Sequence, residues 1–176
     1  MANEAISCTI QGTSPLLMHR YPLMPPAKGW EKWTPEKQAE VGEYRDPDSG
    51  ELYIPGLSIQ RCLVSAATFS KGKGRATLQK PVAACVLITP ERCLLGTKTF
   101  EVDSRAVVIQ KSGRIVRHRP RINEWKASFL AEYDTELISA TELRQVVDDA
   151  GKRVGLMDFR PECKGSFGRF MVVEWK

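Results

Sequence analysis

The closing stretch of the chain does most to limit what it can fold into. Arg160-Pro161-Glu162-Cys163-Lys164-Gly165-Ser166-Phe167-Gly168-Arg169 runs directly into Phe170-Met171-Val172-Val173-Glu174-Trp175, an apolar-rich strand. A strand needs partner strands to satisfy its backbone. Gly165 and Gly168 admit backbone angles and close approaches that other residues resist. Successive amides in such a loop can cradle a phosphate, and Arg160, Lys164 and Arg169 set positive charge beside them. Arg160, Lys164, Gly165, Ser166, Gly168 and Arg169 are therefore expected to contact a nucleic-acid backbone.

The receiving strands are legible upstream. Residues 6–11 alternate apolar and polar, as a half-buried strand does. Ile59, Cys62, Leu63, Ala66 and Phe69 recur at helical spacing, which predicts a helix over 57–69. Residues 82–88 form a continuous apolar run that suits a central strand. Residues 100–122 read as a hairpin turning at Lys111-Ser112-Gly113. Trp125, Ala127, Phe129, Ala131 and Tyr133 share one face of a strand over 125–133. Ser139 and Glu142 make a capping box for a helix over 141–154, and residues 169–175 close the chain. Before the first of these helices, Thr34-Pro35 opens a short helix and residues 51–54 make a short strand. The core order is strand, helix, strand, strand, helix, strand. That is an α+β, ferredoxin-like βαββαβ arrangement, the topology of the RNA-recognition motif, whose sheet face binds single strands. A single domain over 1–176 is expected, with insertions at about 13–54 and 90–124.

Charge gives the order a direction. Lys and Arg number 26 against 21 Asp and Glu, a net charge of +5 over 176 residues. The excess is local: Lys71, Lys73, Arg75 and Lys80 share one acid-free stretch, and Lys111, Arg114, Arg117, Arg119 and Arg121 share another. Arg114, Arg117, Arg119 and Arg121 are read as alternating in an extended segment and projecting to one face, with His118 set to meet a phosphate or a base. Arginine suits phosphate through its planar donor fork. Ser58, at the opening of the helix over 57–69, would add helix-start amides, and Arg61, Lys71, Lys73 and Arg75 would extend the basic track. Trp30 and Trp33 either stack on bases or plug their loop onto the core.

Other chemistry finds little support. Five cysteines without a C-x-x-C pair, and only two histidines, argue against a structural zinc site. Asp148, Asp149, Asp158 and Glu162 have no diagnostic metal-ligand spacing, and no Walker loop or H-E-x-x-H motif is present. No metal, cofactor or catalytic group is expected. No secretory signal and no membrane-length apolar stretch are seen, so a reducing, cytoplasmic setting is expected.

Three segments carry a resemblance. Gly12-Thr13-Ser14-Pro15-Leu16-Leu17-Met18, Tyr53-Ile54-Pro55-Gly56-Leu57-Ser58-Ile59-Gln60-Arg61 and Lys164-Gly165-Ser166-Phe167-Gly168-Arg169-Phe170 stand in that order along the whole chain. They are similar to the opening strand and turn, the start of the first core helix and the glycine-rich loop of backbone-type members of the RAMP superfamily of CRISPR-associated RNA-binding proteins. The resemblance implies a non-enzymatic subunit that binds guide RNA or another single strand and assembles into a repeating ribonucleoprotein, as a homo-oligomer or as a subunit of a larger complex. A stand-alone or mobile-element-encoded relative fits equally, and single-stranded DNA stays an alternative ligand. It also implies that the hairpin over 100–122 works as a thumb. RNA-cleaving members often use a histidine after the first strand as general base, which makes a metal-independent ribonuclease using His19 one alternative. The other is a structural, assembly or inhibitor protein whose basic face meets an acidic protein.

Overall fold

The computed structural model describes residues 3–24, 26–72, 74, 76–109 and 113–176. Lys73, Arg75 and the expected turn residues Lys111 and Ser112 lie outside the described residues. In chain order the elements are β1 (Asn3–Gly12), β2 (Leu16–Leu17), α1 (Pro35–Val41), β3 (Tyr53–Pro55), α2 (Gly56–Ala66), α3 (Gln79–Cys85), β4 (Leu87–Thr89), β5 (Arg92–Leu94), β6 (Glu101–Ile109), β7 (Gly113–Ile122), β8 (Lys126–Asp134), α4 (Ala140–Asp149) and β9 (Phe170–Trp175). A π-helical turn over Ala150–Val154 continues α4.

The main sheet has the order β4-β8-β1-β9, and every neighbouring pair is antiparallel. Period-two alternation decides which face is covered. Ile6, Cys8 and Ile10 of β1, and Ala127, Phe129, Ala131 and Tyr133 of β8, are buried. Residues of α2 and α4, among them Ile59, Leu63, Leu143, Val146 and Val147, join the same core. Each such aliphatic side chain contributes about 2 kcal/mol on burial. The capping box holds as read: the Ser139 hydroxyl accepts from the Glu142 amide, and the Glu142 carboxylate accepts from the Ser139 amide. Trp125 is buried, and its indole N–H donates to the Ser14 carbonyl at 2.9 Å.

The apolar run 82–88 departs from expectation. It is the helix α3 through Cys85, and only Leu87–Thr89 reaches the sheet, as an edge strand. A short apolar run without alternation does not distinguish a strand from a helix. Ala83 and Ala84 favour the helix, Pro81 sits in its first turn where proline is tolerated, and Val82 alone of that helix is fully buried.

The open face of the sheet overturns a second expectation. Gln11 pairs with Lys126 and Met171, Thr9 with Ser128 and Glu174, and Ser7 with Leu130. This face carries hydroxyls, aliphatics and charges of both signs. Among the described residues of these rows there is no aromatic and no arginine, so the face lacks what a single strand stacks on in an RNA-recognition motif. The basic chemistry lies on a second, three-stranded sheet of order β2-β7-β6, where β6 and β7 form the hairpin expected over 100–122.

Candidate nucleic-acid interface

The hairpin register sorts the basic residues. Asp103 lies opposite Arg119, Arg105 opposite Arg117, and Glu101 opposite Arg121. Strand parity puts these six on one face. Arg114, opposite Val108, falls on the other face by the same parity, so the expected set of four on one side is corrected to three. Arg105, which the sequence reading passed over, takes the fourth place. Its signal was present in the alternation Asp103-Ser104-Arg105 of the facing strand. His118 also turns away from the arginine face: its Nδ1 lies 2.7 Å from the Ser104 hydroxyl.

Arg119 is buried, which removes it from any strand-facing role. Its Nη1 donates to the Asp158 carboxylate, while Nε and Nη2 are buried with no partner among the described residues. His19 Nδ1 approaches the same carboxylate at 3.5 Å. Burial pushes the Asp158 carboxyl up. The hydrogen bond from His19 and the charge and hydrogen bond of Arg119 outweigh it, and together hold the group at about 2.

Arg105 is held from two sides. Its Nε and Nη2 donate to the two Asp103 oxygens at 2.6 and 2.5 Å, a bidentate pair. Its guanidinium carbon lies 4.7 Å from the Phe167 ring centroid and 5.2 Å from that of Phe159. The Arg121 guanidinium stands 5.8 Å from Phe167, with Nε donating to Asn123 Oδ1. Arg117 has no hydrogen bond or ion pair among the described residues.

The glycine loop does not offer a phosphate cradle. The amides of Lys164, Gly165, Phe167 and Gly168 donate to the carbonyls of Pro161, Arg160, Phe159 and Pro15. The Arg169 amide donates to the Ser14 hydroxyl at 2.9 Å. The glycines serve internal packing. A Cβ on Gly165 would meet the Phe159 carbonyl oxygen at 1.7 Å. One on Gly168, whose φ is +70°, would meet the Leu156 carbonyl oxygen at 1.9 Å. What the loop presents outward is side chains: Lys164, Ser166 and Arg169 are exposed, and Arg169 donates to the Lys152 carbonyl.

On its other side the loop walls a cleft of about 180 Å³ with the start of α2. Ser58, Arg61 and Arg160, all expected at the interface, meet there with Glu162. Arg160 is engaged by Glu162 at 2.7 Å and by the Met157 carbonyl at 2.8 Å, which leaves Arg61 as the exposed cation of the cleft. The Gly56 amide at the helix start already donates to the Glu91 carbonyl. Cys62, at the cleft floor, has its thiol pushed up to about 12 by burial and offers no thiolate nucleophile. Lys71 is exposed, and its backbone bridges to Thr77. Met157 and Phe159 adopt left-handed backbone angles, φ 64° and 51°, with Asp158 between them. The stretch 157–160 thereby reaches both sides, Asp158 and Phe159 to the hairpin, Met157 and Arg160 to the cleft. Among the described residues no group of three or more His, Cys, Asp or Glu could hold a metal ion, and no helix is long and apolar enough to cross a membrane.

Neither the models of known protein families nor curated protein sequences match the chain. Solved structures do. A chain of the Type III-B Cmr-beta complex, determined by cryo-EM with cognate target RNA bound, superposes with a TM-score of 0.59 at 13% identity over 99% of this chain. This chain spans 60% of the length of that one. Cmr6 from Pyrococcus furiosus aligns with a TM-score of 0.45 at 12% identity, over 97% of this chain and 99% of its own. The likeness to the Cmr-beta chain is one of fold, and it agrees with the resemblance carried by the three short sequence segments.

Proposed function

We propose that this chain is a non-enzymatic, single-stranded-RNA-binding subunit of a larger, CRISPR-associated ribonucleoprotein of the RAMP type, acting in antiviral defence. The reading takes residues 1–176 as one domain on a ferredoxin-like βαββαβ core. Its strands are β1, β4, β8 and β9, its helices α2 and α4, and its insertions about 13–54 and 90–124. The antiparallel order β4-β8-β1-β9, with a helix in each half, supports that topology, and the Cmr-beta chain of similar fold belongs to an assembly bound to RNA.

The observation that carries the reading is the arginine face of the hairpin. Asp103 and Asp158 are committed to Arg105 and Arg119, so Arg117 and Arg121 are the cations left to meet a polyanion, with Glu101 opposite Arg121. Arg61, Lys164 and Arg169 extend the track around the loop. The main-chain cradle has no part in this version, and neither does the open sheet face.

The test is binding of a labelled 12-nucleotide RNA across a salt series. Removing two phosphate contacts in the double variant Arg117→Ala, Arg121→Ala is expected to lower affinity about tenfold and to flatten the log–log salt slope by about 1.4. Absence of binding at low salt rejects the reading. One observation favours a ribonuclease instead: His19 is half-exposed and its imidazole lies 3.5 Å from Asp158, a carboxylate able to orient it as a base. RNA cleavage that disappears in His19→Ala would establish it.

A further inference from the structure

We infer that the Arg105 guanidinium is a stacking platform for one unpaired nucleobase. This rests on the RNA-binding reading above and assigns a base to a residue so far without a role. Arg105 is a poor phosphate clamp. Asp103 takes the Nε–Nη2 edge with both oxygens, and that is the edge a phosphate would take. The carboxylate also balances the charge. What the pair preserves is a plane. Asp103 is buried, with 6% of its side chain exposed, so the orientation of that plane is fixed from inside the protein. Phe167 and Phe159 lie over the guanidinium at 4.7 and 5.2 Å. The carboxylate closes one edge, the two rings lie against the guanidinium, and 32% of the Arg105 side chain stays exposed; the inferred seat of the base is that exposed part.

Unpaired bases stack on guanidinium planes as they do on aromatic rings. The support is built rather than accidental. Phe159 reaches Arg105 from a left-handed backbone angle of 51°, a conformation a bulky residue holds only when its surroundings enforce it. Arg117, directly across the strand pair and without a partner among the described residues, is in place to take the phosphate of the same nucleotide. Base and phosphate thus fall to two different arginines.

The roles separate experimentally through the abasic oligomer and the salt slope. A 12-nucleotide oligoadenylate is compared with the same oligomer carrying four abasic sites, on the full chain, in a salt series. Wild type is expected to bind the abasic oligomer about tenfold more weakly. Arg105→Lys, which keeps the ion pair but loses the plane, should bind both oligomers alike, with the wild-type salt slope and melting temperature. Asp103→Asn, which frees the guanidinium, should reduce discrimination and steepen the slope. Full discrimination retained in Arg105→Lys, or a slope flattened by that variant, overturns the platform and returns Arg105 to phosphate contact or to structure. Equal binding of both oligomers by wild type overturns the platform and leaves RNA binding standing. Binding of neither removes both.

Discussion

The glycine loop and the β6–β7 hairpin look alike in sequence, since both are basic, polar and interrupted by glycine, yet they use their polar groups in opposite ways. In the loop the amides of Lys164, Gly165, Phe167, Gly168 and Arg169 are engaged internally, by the carbonyls of Pro161, Arg160, Phe159 and Pro15 and by the Ser14 hydroxyl. In the hairpin β6 and β7 pair their facing backbone groups, and side chains carry the surplus: Arg117 has no partner among the described residues, and Arg105 is paired along one edge only. A glycine-rich basic segment therefore announces a phosphate cradle only when its amides lack carbonyl partners, and that depends on residues far away in sequence. Here the loop is a wedge that sets the hairpin face, and the face is the surface that can meet a ligand.

Substitutions can break this contrast. The largest effect on stability should come from the wedge. Gly168→Ala puts a Cβ against the Leu156 carbonyl at a left-handed angle and should cost roughly 4 kcal/mol of unfolding free energy, read by urea denaturation. If the loop were an open cradle, the same change would lower RNA affinity and spare stability. Next comes Arg119→Ala. It strips the partly buried Asp158 of its cation and should cost roughly 3 kcal/mol, with little change in salt slope because Arg119 is enclosed.

A smaller effect belongs to pH. Folding lowers the Asp158 carboxyl from its ordinary 3.8 to about 2. Its stabilisation is therefore complete above about pH 4 and is lost as pH falls toward 2, a change of about 1–2 kcal/mol. Paired urea titrations of wild type and Asp158→Asn should show their stability gap shrinking over that window and constant above it. The smallest effect on stability belongs to the hairpin: Arg117→Ala should leave the melting curve within about 0.5 kcal/mol of wild type while weakening RNA binding. A large stability loss there would make the arginine face part of the scaffold and erase the distinction.

The sequence was most informative where a period could be counted. The alternation of residues 125–133, the helical stripe Leu143-Val146-Val147 and the Ser139–Glu142 box all appear in the structure as read. Residues 82–88 offered no period, and the chain resolved the ambiguity by helix propensity and a short edge strand. At the candidate site, charge was legible but commitment was not. Arg119 and Arg117 are equivalent in sequence. Only the approach of Asp158 and the enclosure of one of the two separate a buried ion pair from a free cation. Ser58 and Arg61, read at a helix start, and Arg160, read in the loop, line one cleft, a meeting that no local pattern announces. Arg105 escaped notice because its neighbour Asp103 cancels its charge in any local count.

Cys62 gives the cleft a built-in clock. A thiol whose ionisation is deferred to about 12 reacts slowly with alkylating reagents for as long as the 155–162 wall stays shut over it. Because residues 157–160 touch both cleft and hairpin, a ligand that tightens or loosens the arginine face should slow or quicken that labelling. In a Cys85→Ser, Cys163→Ser background, which removes the two more accessible thiols, the Cys62 modification rate would report occupancy on one side of the wall from chemistry on the other.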